Sequence, residues 1–394
     1  MKKNYFSIFF FLIFSFTFIS AQNRVSHDSV SRLNLLFVGD IMGHGPQIKS
    51  AEIVKDEHYD YLPCFKYVRP IIDQADLAIG NLELTLPGNP PYQGYPQFRS
   101  PDELAYALRV SGFDMMVTSN NHSNDAGKLG VINTISTLNN YGFYQTGTFK
   151  NHEEKELFYP LIVYKNGFKL AFLNYTYGTN GLSTKEPTVV NLIDTTLIKN
   201  DLILAQQLRP DAIIVIIHWG LEYKLNESSK QKQLSKNIFK WGADLIVGSH
   251  PHVVQPIKQD SVLQSDGTYK KVLVAYSLGN FISNQTKPNT DGGIMLETEL
   301  VKDLKTGKVT FGENQYIPVW RYIHRDSKRK PTYHIVPVSA FEMDKTNLLE
   351  MTEKDKKNMK NFATKTRNHL NKYDSSERYI NFDVLNLVSN KKTK

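Results

Sequence analysis

Residues 33–40 read Leu-Asn-Leu-Leu-Phe-Val-Gly-Asp, an apolar run that stops on a carboxylate, Asp40. Such a run predicts a buried strand with apolar neighbours on both faces, closed by a Gly-Asp turn. The same pattern recurs. DLAIGNLE (76–83) ends at Glu83, DMMVTSNNH (114–122) near His122, and DAIIVIIHWG (211–220) turns polar at His218. DLIVGSHPHV (244–253) carries His250 and His252 just past its apolar part, and KKVLVAYSLGNF (270–281) ends near Asn280.

Between these strands the period changes to that of helices. Gly127 to Asn140 places Leu129, Ile132, Ile135 and Leu138 at helical spacing. Further helices are expected at about 196–208 and 230–241. Lys165-Asn166-Gly167 between two apolar runs predicts a hairpin. The loop 86–101 is too rich in proline for regular structure. Three late runs, at 292–300, 308–320 and 332–339, read as closing antiparallel strands. Alternating strands and helices make this an α/β protein.

In such sheets ligands bind beyond the carboxyl ends of strands, and that is where the polar residues lie. Asp40, His44, Glu83, Asn121, His122, His218, Glu222, His250, His252 and Asn280 combine imidazole, carboxylate and amide oxygen. That donor set suits Mn, Zn or Fe rather than Mg or Ca. Each residue has an ordinary alternative. Asp40 could open a turn, Asp125 could cap the helix after it, and His218 could be a core histidine. Glu222 and Asn280 would meet substrate, Glu222 alternatively orienting an imidazole. Arg99 would clamp an anionic group or lie on the surface.

The chain has 394 residues, with 47 Lys and Arg against 39 Asp and Glu, a net charge of +8. That excess suits an anionic partner or simply a soluble basic surface. No nucleic-acid motif is present, and an aromatic content of 12% argues against disorder. The single cysteine, Cys64, cannot form an intramolecular disulfide and is read as a packing residue. Lys2 and Lys3, the apolar run Tyr5 to Ile19 and the small pair Ser20-Ala21 have the form of a signal peptide over 1–21. An uncleaved membrane anchor is the alternative. The expected address is the periplasm or cell surface. The body is divided into 33–340 and a charged helical tail, 341–394.

GDIM, GNLE, SNNHSND, HWGLEY, GSHPHV and YSLGNF, in this order over roughly 33–290, resemble the bacterial capsule-synthesis family CapA, associated with poly-γ-glutamate capsules. That family resembles the calcineurin-like metallophosphatases. The resemblance implies two packed mixed β-sheets flanked by helices, with a dinuclear metal centre at one edge. It implies one metal position using Asp40 and His252, and another using Asn121, His218 and His250. His122 would protonate a leaving group. The closing Gly-His-x-His of phosphatases is matched loosely by Gly248, His250 and His252 with Ser249 inserted, and two residue types differ. Met42 stands where their pattern has an early His, and Asn81 where it has a bridging Asp. One firm metal is therefore expected, with a second only if Glu83 and His44 substitute. The implied function is synthesis or export of an anionic capsular polymer, without catalysis if the chain only binds polymer, or hydrolytic if it cuts phosphoester or amide bonds. Partners would be the polymer or its precursor and an envelope polymerase or export complex.

Overall fold

The computed structural model describes residues 29–55, 57–264, 267–325, 331–373 and 375–386. The leader lies outside the described residues. Two large sheets form the body. The nine-stranded sheet runs Pro331–Pro337, Val309–Arg325, Gly292–Asp303, Val30–Ile41, Leu77–Leu82, Met115–Val117, Tyr144–Thr146. Two short strands, Asn280–Ile282 and Ser376–Glu377, pair beside Val30–Ile41 and Val309–Arg325. The six-stranded sheet runs Ile257–Leu263, Tyr269–Ala275, Leu245–Ser249, Ala212–His218, Phe168–Thr176, Leu161–Lys165. Both sheets are mixed. Parallel pairs occupy the strands whose ends carry polar residues, and antiparallel pairs close the edges except at Tyr144–Thr146, which pairs parallel.

Period-2 alternation assigns each strand's side chains to two cores. Leu33, Leu35 and Phe37 face the six-stranded sheet, packing in one cluster with Phe172, Ile214 and Val247. Leu36 and Val38 face the other way, into a cluster with Phe65, Leu108 and Phe362. Beyond the six-stranded sheet, Ile213, Val215 and Ile217 pack on Ile198, Leu202 and Ile238 of helices Thr195–Gln207 and Ser229–Lys240. The result is four layers: helices, sheet, sheet, helices. This is the expected architecture.

The hairpin forms as predicted. Leu161–Lys165 pairs with Phe168–Thr176, and Asn166 and Gly167 both take positive φ, 48° and 81°. The helix Gly127–Asn140 has the expected bounds but a different buried face. Val131, Thr134, Ile135 and Leu138 are buried, whereas Leu129 is 67% exposed. The third strand is shorter than expected, ending at Val117, because the following residues bond through side chains rather than a ladder. Ser123 Oγ donates to the Thr118 carbonyl at 2.7 Å and accepts from Asn120 N–H at 2.9 Å.

In the C-terminal region, the charged helix Glu353–Leu370 lays Met359, Phe362 and Ala363 into the main core. Cys64 is buried there too, its thiol pushed up to about 12 by burial. Among the described residues, no helix is long and apolar enough to cross a membrane.

Candidate metal centre

The two sheets bring their carboxyl ends to one seam. The nine-stranded sheet contributes Asp40, Asn81 and Glu83, and the loop after Val117 adds Asn121 and His122. The six-stranded sheet contributes His218, and the loop after Ser249 adds His250 and His252.

Asp40 is aimed by a β-bulge. The pairing register shifts between Val38 and Asp40, so Gly39 is the extra residue. A Cβ on Gly39 would meet the Gly279 carbonyl oxygen at 1.9 Å. Only glycine lets this turn approach the one at 277–280, where Asp40 N–H donates to that carbonyl at 3.0 Å. Asn81 Nδ2 then donates to Asp40 Oδ1 at 2.8 Å.

The histidines are held by defined partners. His252 Nδ1 lies 3.1 Å from both Asp40 Oδ2 and Asn280 Oδ1. Both oxygens accept, so Nδ1 carries the proton and Nε2 presents a lone pair, 3.9 Å from Glu83 Oε1. His218 Nε2 lies 2.8 Å from Asn121 Oδ1, and its Nδ1 2.9 Å from Ser249 Oγ. His250 and His252 take φ of 97° and 59°. Side chains held in that left-handed region cost about 1–3 kcal/mol each, a strain that clusters at functional sites.

Glu83 stands at the middle. It has no exposed surface, and neither carboxylate oxygen has a hydrogen-bond partner; His250 Nδ1 is also unpartnered. Burial, then the neighbouring Asp40, pushes the Glu83 carboxyl well above its usual range. Burial, then His252, lowers His250 to about 3, and burial lowers His218 well below the ordinary imidazole value. Neutral imidazoles, with His250 Nδ1 unpartnered and His252 Nε2 turned to Glu83, around a buried carboxylate that accepts no hydrogen bond are the environment a divalent cation would satisfy. Two groups meet the proximity such an ion needs, with ligand atoms within 4.8 Å of one another: Asp40, Glu83 and His218, and Glu83, His250 and His252. Glu83 belongs to both.

His122 lies beside the centre. Its Nδ1 is 2.7 Å from Asp125 Oδ2, which also accepts Phe98 N–H at 2.5 Å. Asp125 therefore orients His122 and is not the helix cap that its position suggested; Ala126 occupies that place. Arg99 is partly buried. Its Nε and Nη2 donate to the Asp125 carbonyl at 3.2 and 3.1 Å, so it braces the His122 turn.

Other expected residues are placed differently. Asn280 is buried with its amide in use, accepting from His252 and donating to Gln285 Oε1 and the Thr290 carbonyl. It orients a ring instead of meeting substrate. Glu222 is exposed beside the Tyr223 hydroxyl and has no hydrogen bond to an imidazole among the described residues. Ser249 and Asn280 orient the rings in its place. His44 stays outside both donor groups. Its Nδ1 faces Gln47 Oε1 at 3.1 Å and Asn284 N–H at 3.2 Å, and its ring packs 4.9 Å from Phe98.

Ser249, Tyr177 and Asn174 escaped sequence reasoning. Tyr177 packs 4.5 Å from the His250 ring and stacks on His218 at 6.2 Å. Asn174 bridges the sheets, its Oδ1 accepting Ser119 N–H at 2.7 Å while Nδ2 donates to the Ile216 carbonyl at 3.0 Å. An asparagine inside an apolar strand was the available signal for Asn174.

Residues 34–285 match the family described as "Bacterial capsule synthesis protein PGA_cap". The chain belongs to this family. It is 30% identical over 290 residues to the "Capsule biosynthesis protein CapA" of Bacillus anthracis, covering 70% of this chain and 66% of that protein, just under two thirds of its length. It is 28% identical over 304 residues to the "PGA biosynthesis protein CapA" of Bacillus subtilis, covering 75% and 76%. Among solved structures it is similar to the calcineurin-like phosphoesterase YfkN of Bacillus subtilis (TM-score 0.44, 12% identity, 91% of this chain and 99% of that one). It is also similar to a 5'-nucleotidase of Candida albicans (TM-score 0.41, 13% identity, 86% and 58%).

Proposed function

We propose that this capsule-synthesis protein is exported and acts on an anionic, poly-γ-glutamate-like capsular polymer or its precursor. Its centre would hydrolyse a phosphoester or amide bond there, during synthesis or export. The observation that carries this reading is Glu83, a buried carboxylate without a donor that joins two groups of metal-ligand atoms. Family membership supports the capsular role. The carboxylate and imidazole donors suit Mn, Zn or Fe. Glu83 would stand in for the bridging carboxylate that Asn81 cannot provide, which allows two neighbouring cations.

A bound cation would supply Lewis acidity and make water a better nucleophile. The chain's own residues do the rest. Asp40 and Asn280 keep the His252 Nδ1 proton in place, leaving Nε2 as a ligand. Asp125 holds the His122 ring through Nδ1, so that Nε2 can hand a proton to a leaving group. Arg99 fixes the turn that carries both.

The test is His122→Ala, assayed on phosphate esters and on γ-glutamyl polymer. Turnover should fall by about 10²–10⁴-fold with metal content unchanged. Unchanged turnover would remove His122 as the proton donor, and no turnover in wild type while polymer still binds would replace the hydrolase reading with a polymer-binding assembly role.

A further inference from the structure

Beside the metal centre the chain carries a set of cations that the proposed chemistry does not use. Lys287 Nζ sits 4.1 Å above the Tyr223 ring, and that ring lies 6.1 Å from His252. Lys287 is exposed and opens onto a trough of about 370 Å³ that Arg321, Asn358, Asn361 and Lys365 also line. A second trough of about 340 Å³ shares Asn289, Phe362 and Lys365 with it and continues to His369 and Lys372. The floor of both is one face of the helix Glu353–Leu370. From Asn358 to His369 that face runs roughly 16 Å at the helical rise.

Four cations line this path against one acid, Asp291, which acts on Arg321. Among the described residues, Lys287, Arg321, Lys365 and Lys372 have no carboxylate within ion-pair distance. The acid in the trough, Asp291, is engaged, its Oδ2 accepting from Trp320 Nε1 at 2.8 Å. Arg321 is held by Asn284 Oδ1 at 3.3 Å and the Gln285 carbonyl at 3.4 Å, while its buried Nε has no partner. A fixed guanidinium, flexible lysines and side-chain amides are what an extended chain of carboxylates needs: charge for attraction, amides for direction. Bare lysines on a solvated face would instead be expected to stand among acids of their own surface.

We infer that this trough is the subsite that receives the anionic polymer and leads it past Lys287 to the metal centre. The inference rests on the proposed function for its substrate and adds the path and the residues. The helix has a double role: Phe362 anchors it in the core, and its Lys365, with Lys372 of the turn that follows, faces the polymer.

The experiment measures binding of γ-linked glutamate oligomers to the full chain, with polyphosphate and a neutral polymer as comparisons. The variant is Lys287→Glu with Lys365→Glu and Lys372→Glu. The control reverses Lys230, Lys236 and Lys240, exposed residues of the helix at 229–240 on another face. The subsite predicts binding about tenfold weaker or worse in the first variant, with metal content kept, and little change in the control. Preference for polyphosphate would assign the trough to a phosphate-bearing precursor while keeping the anion subsite. Equal weakening in both variants, or none in the first, would overturn it. So would a wild-type chain that binds no polyanion, a result that leaves metal loading at Glu83 to stand or fall separately.

Discussion

Burying the Glu83 carboxylate with no donor costs several kcal/mol if it stays ionised, which is why its pKa rises. A residue kept at such cost is explained by the ion it would hold. Glu83→Gln should therefore stabilise the EDTA-treated chain by roughly 1–2 kcal/mol, since a neutral amide replaces an unpaired acid. Denaturant unfolding at neutral pH checks this, and a less stable Glu83→Gln chain would argue that Glu83 is simply structural. A second titration lies away from the centre. His334 is buried, its Nδ1 2.9 Å from the Pro63 carbonyl, and burial lowers it to about 4. Its folded pKa is below the unfolded value of about 6.5, so the unfolded chain binds more protons between them. Stability should fall as pH drops from about 6.5 towards 4, and His334→Gln should flatten that slope in thermal melts.

The strands were legible as elements because each is apolar on both faces and stops on a polar residue; Ala212–His218 is buried at every position. The helix at 127–140 was legible in extent but not in phase, because Leu129 and Val131 are equally apolar and only the sheet decides which is covered. The turns carry the sharpest constraint. Gly39→Ala would drive a methyl into the Gly279 carbonyl, so the bulge must open and Asp40 must move. We expect a loss of about 1–3 kcal/mol or more and weaker metal binding, measured by melts with and without metal. Asn174→Ala should remove one of the two ties between the 118–122 loop and the His218 strand, leaving Asn121 on His218 as the other. It would lower kcat through His122 more than it raises KM, and Asn174→Ser should not restore the two-sided clamp.

The whole molecule places the site at the seam of two sheets, with Asp40 and Glu83 from one and His218, His250 and His252 from the other. Sequence showed the strand-end donors, but the grouping the resemblance implied, Asp40 with His252 and Asn121 with His218 and His250, differs from the two the structure brings together, Asp40 with Glu83 and His218, and Glu83 with His250 and His252. Asn81, Ser249 and Asn280 act through hydrogen bonds to Asp40, His218 and His252 from other segments, and Asp40 meets His252 across 212 residues of sequence. Such pairings exist only after the sheets have packed. Because the ligands come from both sheets, metal should stabilise the body as a unit, by about 2.7 kcal/mol at a hundredfold excess over Kd. A melt in which metal raises only part of the transition would contradict that.

The most direct measurement is metal content after loading with Mn, Zn or Fe and exhaustive desalting, for the full chain and its Glu83→Gln variant side by side. The account predicts one to two equivalents, on the order expected for adjoining sites of this donor set, in the wild type and a clear loss in Glu83→Gln with the fold intact. A folded wild type that takes up no metal, or a variant that holds as much, would contradict it.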